Sequence, residues 1–111
     1  MLSAELPAWT HGVGENLILG GAYTALYNVL GYPAGVVPVT RVRAGEEIGR
    51  KPSRDLVQQA AYNVEQGSAG LPIGVQVVAR PWREHVALAA MRAIEDAARA
   101  QADFPALPVI V

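Results

Sequence analysis

The sequence contains no cysteine, so disulfide bonds, thiolate metal ligands and cysteine nucleophiles are all excluded. Charge is also sparse: charged residues make up 17% of the chain, the net charge is −1, and no basic stripe suited to nucleic acid is present. No apolar run is long enough to span a bilayer, and residues 1–12 lack the basic start and apolar core of a signal peptide. A cytoplasmic protein with no nucleic-acid partner and no membrane span is therefore expected.

Groups that could act as a hydrolytic nucleophile or base are equally scarce. The serines are Ser3, Ser53 and Ser68, and none lies in a Ser-Ser pair or a Gly-x-Ser-x-Gly turn. They are predicted to lie in an irregular lead-in, at a helix N-cap and in a turn. The sole lysine, Lys51, lies in a polar loop, whereas a catalytic lysine must be desolvated to lower its pKa. The residues therefore predict no catalytic position in this chain.

What the chain does have is apolar character, at 51% of its 111 residues. This length allows one domain at most, with a thin core. The composition is too hydrophobic for a disordered segment and poor in charge for a free-standing small domain. We infer that part of the surface is covered by something else.

The apolar pattern predicts alternating helices and strands between an irregular lead-in at 1–18 and a tail at 104–111. Gly31 and Gly67 are expected to end the first two helices, because glycine adopts the left-handed conformation at low cost. Ser53 is expected to cap the second helix. Pro38 should lie at a strand end, an edge or a bulge, because it donates no ladder hydrogen bond. The predicted elements are a helix at 22–30, a strand at 35–42, a helix from Ser53 to Gly67, a strand at 73–79 and a helix starting at Pro81-Trp82.

These elements predict an α/β fold in which helices cover the strands of a sheet. The strand at 35–42 alternates little between apolar and polar residues, which is typical of a strand buried on both faces. Two strands alone cannot bury both faces and pair both edges. The sheet is therefore expected to be incomplete in this chain.

The remaining polar candidates have structural interpretations that outweigh functional ones. His11 and His85 could titrate near neutrality, but no second ligand completes a metal site around either. The segment 12–14, Gly-Val-Gly, follows no strand and is not a phosphate loop. The arginines and Lys51 of the segment 41–54 are interleaved with glutamates, as in a solvated loop face. Trp82 is of more interest, because it follows a strand end, where ligands bind in α/β sheets. From its position alone, however, an anchoring role in packing is favoured over a ligand contact.

Three sequence motifs resemble motifs of a known protein family. They are AYTALYN at 22–28 with PAGVVPVT at 33–40, then GLPIGVQ at 70–76, and then RPWRE at 80–84. In order and separation they resemble the C-terminal segment of amidase-signature hydrolases, and the Pro-Ala-Gly-Val-Val-Pro-Val phrase resembles the fatty-acid-amide-hydrolase-like branch. The resemblance covers residues 17–100, most of this chain but only the final portion of a family member.

The resemblance implies a large α/β fold with a mixed central sheet, of which 1–111 would be the C-terminal portion. It implies hydrolysis of carboxylic amides through an acyl-serine intermediate, using a Ser–Ser–Lys triad and no metal or organic cofactor, and the branch resemblance suggests fatty acid amides as the substrates. None of the triad residues has a counterpart here. In that branch the tryptophan of the Pro-Trp pair lies by the acyl-chain channel. Trp82 is therefore a candidate substrate-binding residue, with Val36 and Val37 as weaker candidates.

Three interpretations follow. In the favoured one, the chain is the C-terminal portion of an amidase, is inactive alone and has the N-terminal remainder of the fold as its partner. In the second, it is a small non-catalytic α/β module, such as a homodimer pairing its strand edges with a second copy, which binds an apolar ligand or a partner protein. In the third, it complements a separately encoded amidase piece. An amide small molecule is the expected substrate of the whole enzyme.

Overall fold

The structure is a computed structural model that describes residues 7–18 and 22–106. Three helices and two strands alternate in the order that the sequence predicts, and each boundary differs from its expected position by at most a few residues. The irregular lead-in consists of turns over residues 7–18. The expectations for residues 1–6 and for the end of the tail, 107–111, lie outside the described residues. The elements are α1 (Ala22–Val29), β1 (Ala34–Arg41), α2 (Leu56–Glu65), β2 (Pro72–Val78) and α3 (Glu84–Ala98).

The two strands pair with each other in an antiparallel sheet. Ala34 lies opposite Val78 at one end, and Arg41 lies opposite Pro72 at the other. The register shifts between Pro38 and Thr40, which confirms that the proline lies at a ladder irregularity. Because proline has no N–H to donate, an interruption of the ladder at this position leaves no strand hydrogen bond unmade.

Helix α3 covers one face of this sheet. Its buried residues Ala87 and Ala98 lie at helical spacing on the side that faces the strands. A glycine at position 35 permits a close approach, since a methyl group built there would come within 2.5 Å of the Met91 sulfur atom. Small residues on both elements thus allow α3 to lie directly on β1.

The opposite face of the sheet is open within the described part of the chain. Along β1 the side chains alternate, so that Val37 is 4% exposed whereas Val36 is 61% exposed. The sequence predicts a strand covered on both faces, but only one cover, α3, is present among residues 7–18 and 22–106. A valine-rich strand that presents one face to solvent fits the expectation that the sheet is incomplete here.

A second small core lies between α2 and the lead-in. Leu17 is 2% exposed and packs with Ala61 and Val64 of α2, while Val13 and Ala60 close the edge of the cluster. The 7–18 segment is irregular in its backbone, but it supplies the largest side chain of this cluster. Helix α2 is thus held by the lead-in.

The helix ends follow capping chemistry, with one correction. Gly31 and Gly67 adopt φ values of 66° and 71°, as expected of glycines that end helices. The cap of α2 is Asp55 rather than Ser53: the Asp55 carboxylate accepts from the Gln58 N–H, at 3.0 Å. The Ser53 hydroxyl accepts a hydrogen bond from the Asp55 N–H and so supports the cap residue from two positions earlier. Ser53 and Asp55 both have side chains that suit an N-cap, and Asp55 takes this role because it directly precedes the first helical residue.

Replacing Asp55 with alanine is expected to destabilise the chain by about 1 kcal/mol, because one helix N–H loses its acceptor. The control is Asp96, an exposed acidic residue inside α3. Its replacement by alanine should lower stability by only about 0.3–0.5 kcal/mol. Urea unfolding followed by circular dichroism measures both. Equal losses for the two variants would contradict the capping role of Asp55.

Candidate functional site

Trp82 lies in the turn that joins β2 to α3. The structure corrects the expected helix start: α3 begins at Glu84, and Pro81 and Trp82 precede it in the turn. Trp82 is 87% exposed in this chain. Its backbone has φ = 64°, and among the described non-glycine residues it alone has a positive φ.

A left-handed conformation is costly for a bulky side chain, at about 1–2 kcal/mol. A glycine at this position would avoid that cost, yet the chain places its largest type of side chain there and leaves the ring in solvent. Strained backbone of this kind is concentrated at ligand-binding and switch positions, where the side chain must point in a particular direction. Within this chain the exposed Trp82 ring does not anchor α3 against the sheet, and a substrate-binding role for Trp82 stays a prediction.

Val36 and Val37 lie on opposite faces of β1. Val36 is on the open face, and its Cγ1 would lie 2.6 Å from a methyl group built on Gly74 of β2. Val37 is buried on the face that α3 covers. Trp82 follows β2 beyond the end where Val78 pairs with Ala34. The two valines therefore do not line one common surface in this chain, and a substrate-binding role for each stays a prediction.

The candidate hydroxyl and amine groups are placed as structural groups. The Ser68 hydroxyl is buried and donates to the Glu65 carbonyl oxygen at 2.6 Å, closing the turn after α2. Ser53 supports the helix cap, and Lys51 is exposed in the loop before α2. Ser3 lies outside the described residues. His11 and His85 are both exposed.

The basic segment 41–54 forms ion pairs that tie the chain together. Arg43 donates two hydrogen bonds to Asp103 at 2.8 and 2.6 Å and so joins the loop after β1 to the segment after α3. The hydrogen bond to Asp103 raises the pKa of the Arg43 guanidinium, and the charges of Asp103 and Glu46 act in the same direction. Arg50 pairs with Glu65 at 2.6 Å. This segment therefore has a solvated face and, in addition, ion pairs that join it to other parts of the chain.

Glu65 is a partly desolvated carboxylate that the sequence did not distinguish from other surface glutamates. Arg50 binds its Oε1, whereas its buried Oε2 has no hydrogen-bond partner. A glutamate at the last position of an amphipathic helix ordinarily faces solvent, but Glu65 is 9% exposed and pairs with Arg50 of the 41–54 loop. The Arg50–Glu65 pair connects the loop to the base of α2.

The described part of the chain contains neither a cluster of metal-binding side chains nor a helix suited to cross a membrane. Across residues 7–18 and 22–106, no three side chains of the histidine, cysteine, aspartate or glutamate types come together as a metal ion would require. In the same described part of the chain, no helix combines the length and apolarity needed to cross a membrane.

Comparison with known proteins places these features in a family. The family described as Amidase matches residues 3–88, which run from the lead-in through α1, both strands and the first turn of α3. The chain belongs to the amidase family. Trp82, Val36 and Val37 all lie within the matched residues.

Curated relatives support the same branch. The chain is 43% identical over 93 residues to the protein named Fatty acid amide hydrolase 1 of Caenorhabditis elegans, a match that covers 81% of this chain and 16% of that protein. It is 42% identical over 78 residues to Fatty-acid amide hydrolase 1 of Sus scrofa, covering 67% of this chain and 14% of that protein. The resemblance to the fatty-acid-amide-hydrolase-like branch is thus confirmed. The chain spans about one sixth of the length of these amidase relatives, and no solved structure matches it significantly.

Proposed function

We propose that this chain forms the C-terminal portion of an amidase that cleaves the C–N bond of carboxylic amides, with fatty acid amides as the substrate class. The identity to two fatty acid amide hydrolases carries the proposal. The reaction would proceed through an acyl-serine intermediate on a Ser–Ser–Lys triad that lies outside these residues. In this proposal, the chain stabilises the amidase fold and forms part of the wall of the substrate pocket.

The proposed partner is the remainder of the amidase fold, on the same polypeptide or on a separate one. Two apolar surfaces of the chain support this. The open face of the sheet presents Val36, and α1 leaves Leu26 and Val29 exposed although they lie on its apolar side. Both surfaces would become buried when further strands and helices complete the sheet.

A second copy of this chain is the alternative partner, because β1 and β2 each have an unpaired edge among the described residues. Light scattering on the isolated chain separates the two partners. A monodisperse dimer with a cooperative urea transition would favour self-pairing. A monomer of low stability that becomes stable with the amidase remainder is the result expected here.

We also place Trp82 at the acyl-chain binding surface of the complete enzyme. Its exposed ring and strained backbone are explained if the ring contacts an apolar substrate chain that is present only in the working protein. Val36, exposed on the open sheet face, would contribute a smaller apolar contact. Val37, buried under α3, would act by fixing the position of β1.

Replacing Trp82 with glycine should have opposite effects on stability and activity. Stability of the chain should rise by about 1 kcal/mol, because glycine removes the left-handed backbone cost and the exposed ring contributes little packing. In the complete enzyme, kcat/KM for a long-chain amide should fall by about tenfold, the equivalent of about 1.4 kcal/mol of lost apolar contact. A short-chain amide should be little affected.

Trp82→Ala is the matched control, since it removes the ring while keeping the positive φ on a non-glycine residue. It should lose long-chain activity as Trp82→Gly does but without gaining stability. Equal losses on long and short amides in both variants would contradict an acyl-chain contact and leave only a general structural effect.

A further inference from the structure

The open face of the sheet carries one polar side chain among apolar ones. The exposed residues of β1 lie at every second position, and their antiparallel partners in β2 lie on the same face. Gln76 lies directly opposite Val36 in this pairing. The open face thus consists of Ala34, Val36 and Pro38 of β1 and of Gly74, Gln76 and Val78 of β2. Of these six residues, Gln76 alone has a side chain that can form hydrogen bonds.

The side-chain amide of Gln76 has no partner within the chain. Gln76 is half-buried, and across residues 7–18 and 22–106 no donor or acceptor forms a hydrogen bond with its side chain. The neighbouring side chains on the open face are those of valine, alanine and proline, which offer neither donors nor acceptors. An amide on a surface that faces solvent can bond to water, so the arrangement is tolerable while the face stays open.

Covering the open face would remove that solvent. A glutamine amide that is buried without a partner is costly, because it loses its bonds to water and gains none in exchange. An element that is apolar throughout is therefore disfavoured at the point over Gln76, whereas one with a donor and an acceptor there fits. A single polar residue in an apolar interface selects one register over its neighbours, as it does in coiled coils.

We propose that Gln76 positions the amidase remainder on the open face by hydrogen bonding to a polar group of the element that covers it. The remainder is the occupant, because the matched segments make up only 16% and 14% of the two amidase relatives, so most of each relative lies outside the match. The inference rests on the proposed function in taking the amidase remainder as the partner. The covering element carries a donor and an acceptor opposite Gln76, which the interior of a helix can offer only through a side chain, since its backbone groups bond internally.

The test compares the isolated chain with a chimera in which this chain replaces the matched segment of the Caenorhabditis elegans relative. Gln76→Met removes the amide and keeps a side chain of similar length. In the isolated chain the midpoint of urea unfolding should stay unchanged or rise, because the amide has no partner there. In the chimera the thermal midpoint should fall by at least about 2 °C, because a polar group of the covering element loses its partner. Gln101→Met, at an exposed glutamine after α3, is the matched control and should change neither midpoint.

A second variant tests whether the remainder removes water from this position. Gln76→Glu replaces the amide by a carboxyl group of the same size. Burial disfavours the charged form, so in the chimera the pKa of this carboxyl should rise above the usual range of a glutamate. The deficit in thermal midpoint relative to the parent chimera should be largest at pH 8 and should shrink at pH 5, where the neutral carboxyl both donates and accepts. In the isolated chain the solvated carboxylate should show little such dependence on pH.

Three results overturn the proposal. One is a chimera whose midpoint is unchanged by Gln76→Met and whose Gln76→Glu variant has no pH-dependent deficit. Another is a loss in the isolated chain as large as that in the chimera, since Gln76 would then have a partner within the chain. The third is a homodimer of the isolated chain that Gln76→Met dissociates, which would assign the open face to a second copy.

Failure here is distinguishable from failure of the proposed function, because the midpoints report folding and hydrolysis reports activity. A chimera that hydrolyses amides but is indifferent to Gln76 refutes the positioning role alone. A folded, inactive chimera whose midpoint depends on Gln76 refutes the proposed activity alone. A chimera that does not fold with Gln76 in place refutes the shared partner, and both proposals with it.

Discussion

Replacing Leu17 with alanine is expected to lower the free energy of unfolding of the chain by about 2–5 kcal/mol. Leu17 is 2% exposed and is the largest member of the cluster that joins the lead-in to α2. Its partners Ala61 and Val64 are small and lie on a helix, so they cannot move to fill the void. The midpoint of urea unfolding measures the loss.

The neighbouring residue provides a matched control, since Ile18 is apolar but 72% exposed. Ile18→Ala should change stability by less than about 0.5 kcal/mol, as exposed positions usually do. Similar losses for both variants would mean that the lead-in does not pack on α2 as described. An unfolded Leu17→Ala chain beside a folded Ile18→Ala chain agrees with the expectation at its upper end.

The second large effect concerns the Arg50–Glu65 pair. Glu65→Ala is expected to cost about 2–4 kcal/mol, below the upper end of the range for a fully buried pair because Arg50 keeps partial access to water. The loss has two parts: the 2.6 Å hydrogen bond between Arg50 and Glu65 disappears, and a guanidinium is left half-buried without a counter-charge. The connection between the 41–54 loop and α2 should weaken as a result.

Two comparisons isolate this effect from simple loss of a charge. Glu95→Ala removes an acid that pairs with Arg99 on the more exposed side of α3, and should cost only about 0.3–0.5 kcal/mol. The double variant Arg50→Met/Glu65→Leu should recover much of the stability, because it removes the uncompensated charge and keeps the volume. If the double variant is as unstable as the sum of the single ones, the pair is not coupled as the structure indicates.

The order and type of the elements could be predicted from local sequence signals. Apolar residues at helical spacing, the valine-rich strands and glycines at 31 and 67 each have a local physical cause. Pro38 predicted a strand end, an edge or a bulge, because it lacks an N–H to donate, and the register does shift between Pro38 and Thr40. The incomplete sheet was expected on equally simple grounds, since two strands cannot pair both their edges. The strand at 35–42 was expected to be buried on both faces, however, and Val36 is 61% exposed in this chain.

Other features depend on the folded arrangement and were not predictable in this way. Ser53 and Asp55 are both good caps, and only the path of the loop decides between them. Pro81 and Trp82 resemble a helix start, but the left-handed backbone of Trp82 delays the helix to Glu84. The pairing of Glu65 with Arg50 joins the 41–54 loop to the end of α2, a contact that no pattern along the chain reveals.

The candidate site also has features that the sequence predicts and features that only the folded structure reveals. Trp82 could be chosen from its place after a strand and from the Pro-Trp phrase, but its strain and its exposure became evident only in the structure.

The most direct test of the proposed function is a chimera with a relative. The matched segment of the Caenorhabditis elegans fatty acid amide hydrolase 1 is replaced by this chain, and hydrolysis of a long-chain fatty acid amide is measured alongside the isolated chain. At 43% identity over the matched residues, the shared fold should accept the exchange. We expect hydrolysis by the chimera, its loss of long-chain preference on Trp82→Ala, and none by the chain alone. A folded chimera without amidase activity, or hydrolysis by the isolated chain, would contradict the proposal that this chain supports amide hydrolysis as part of a larger enzyme.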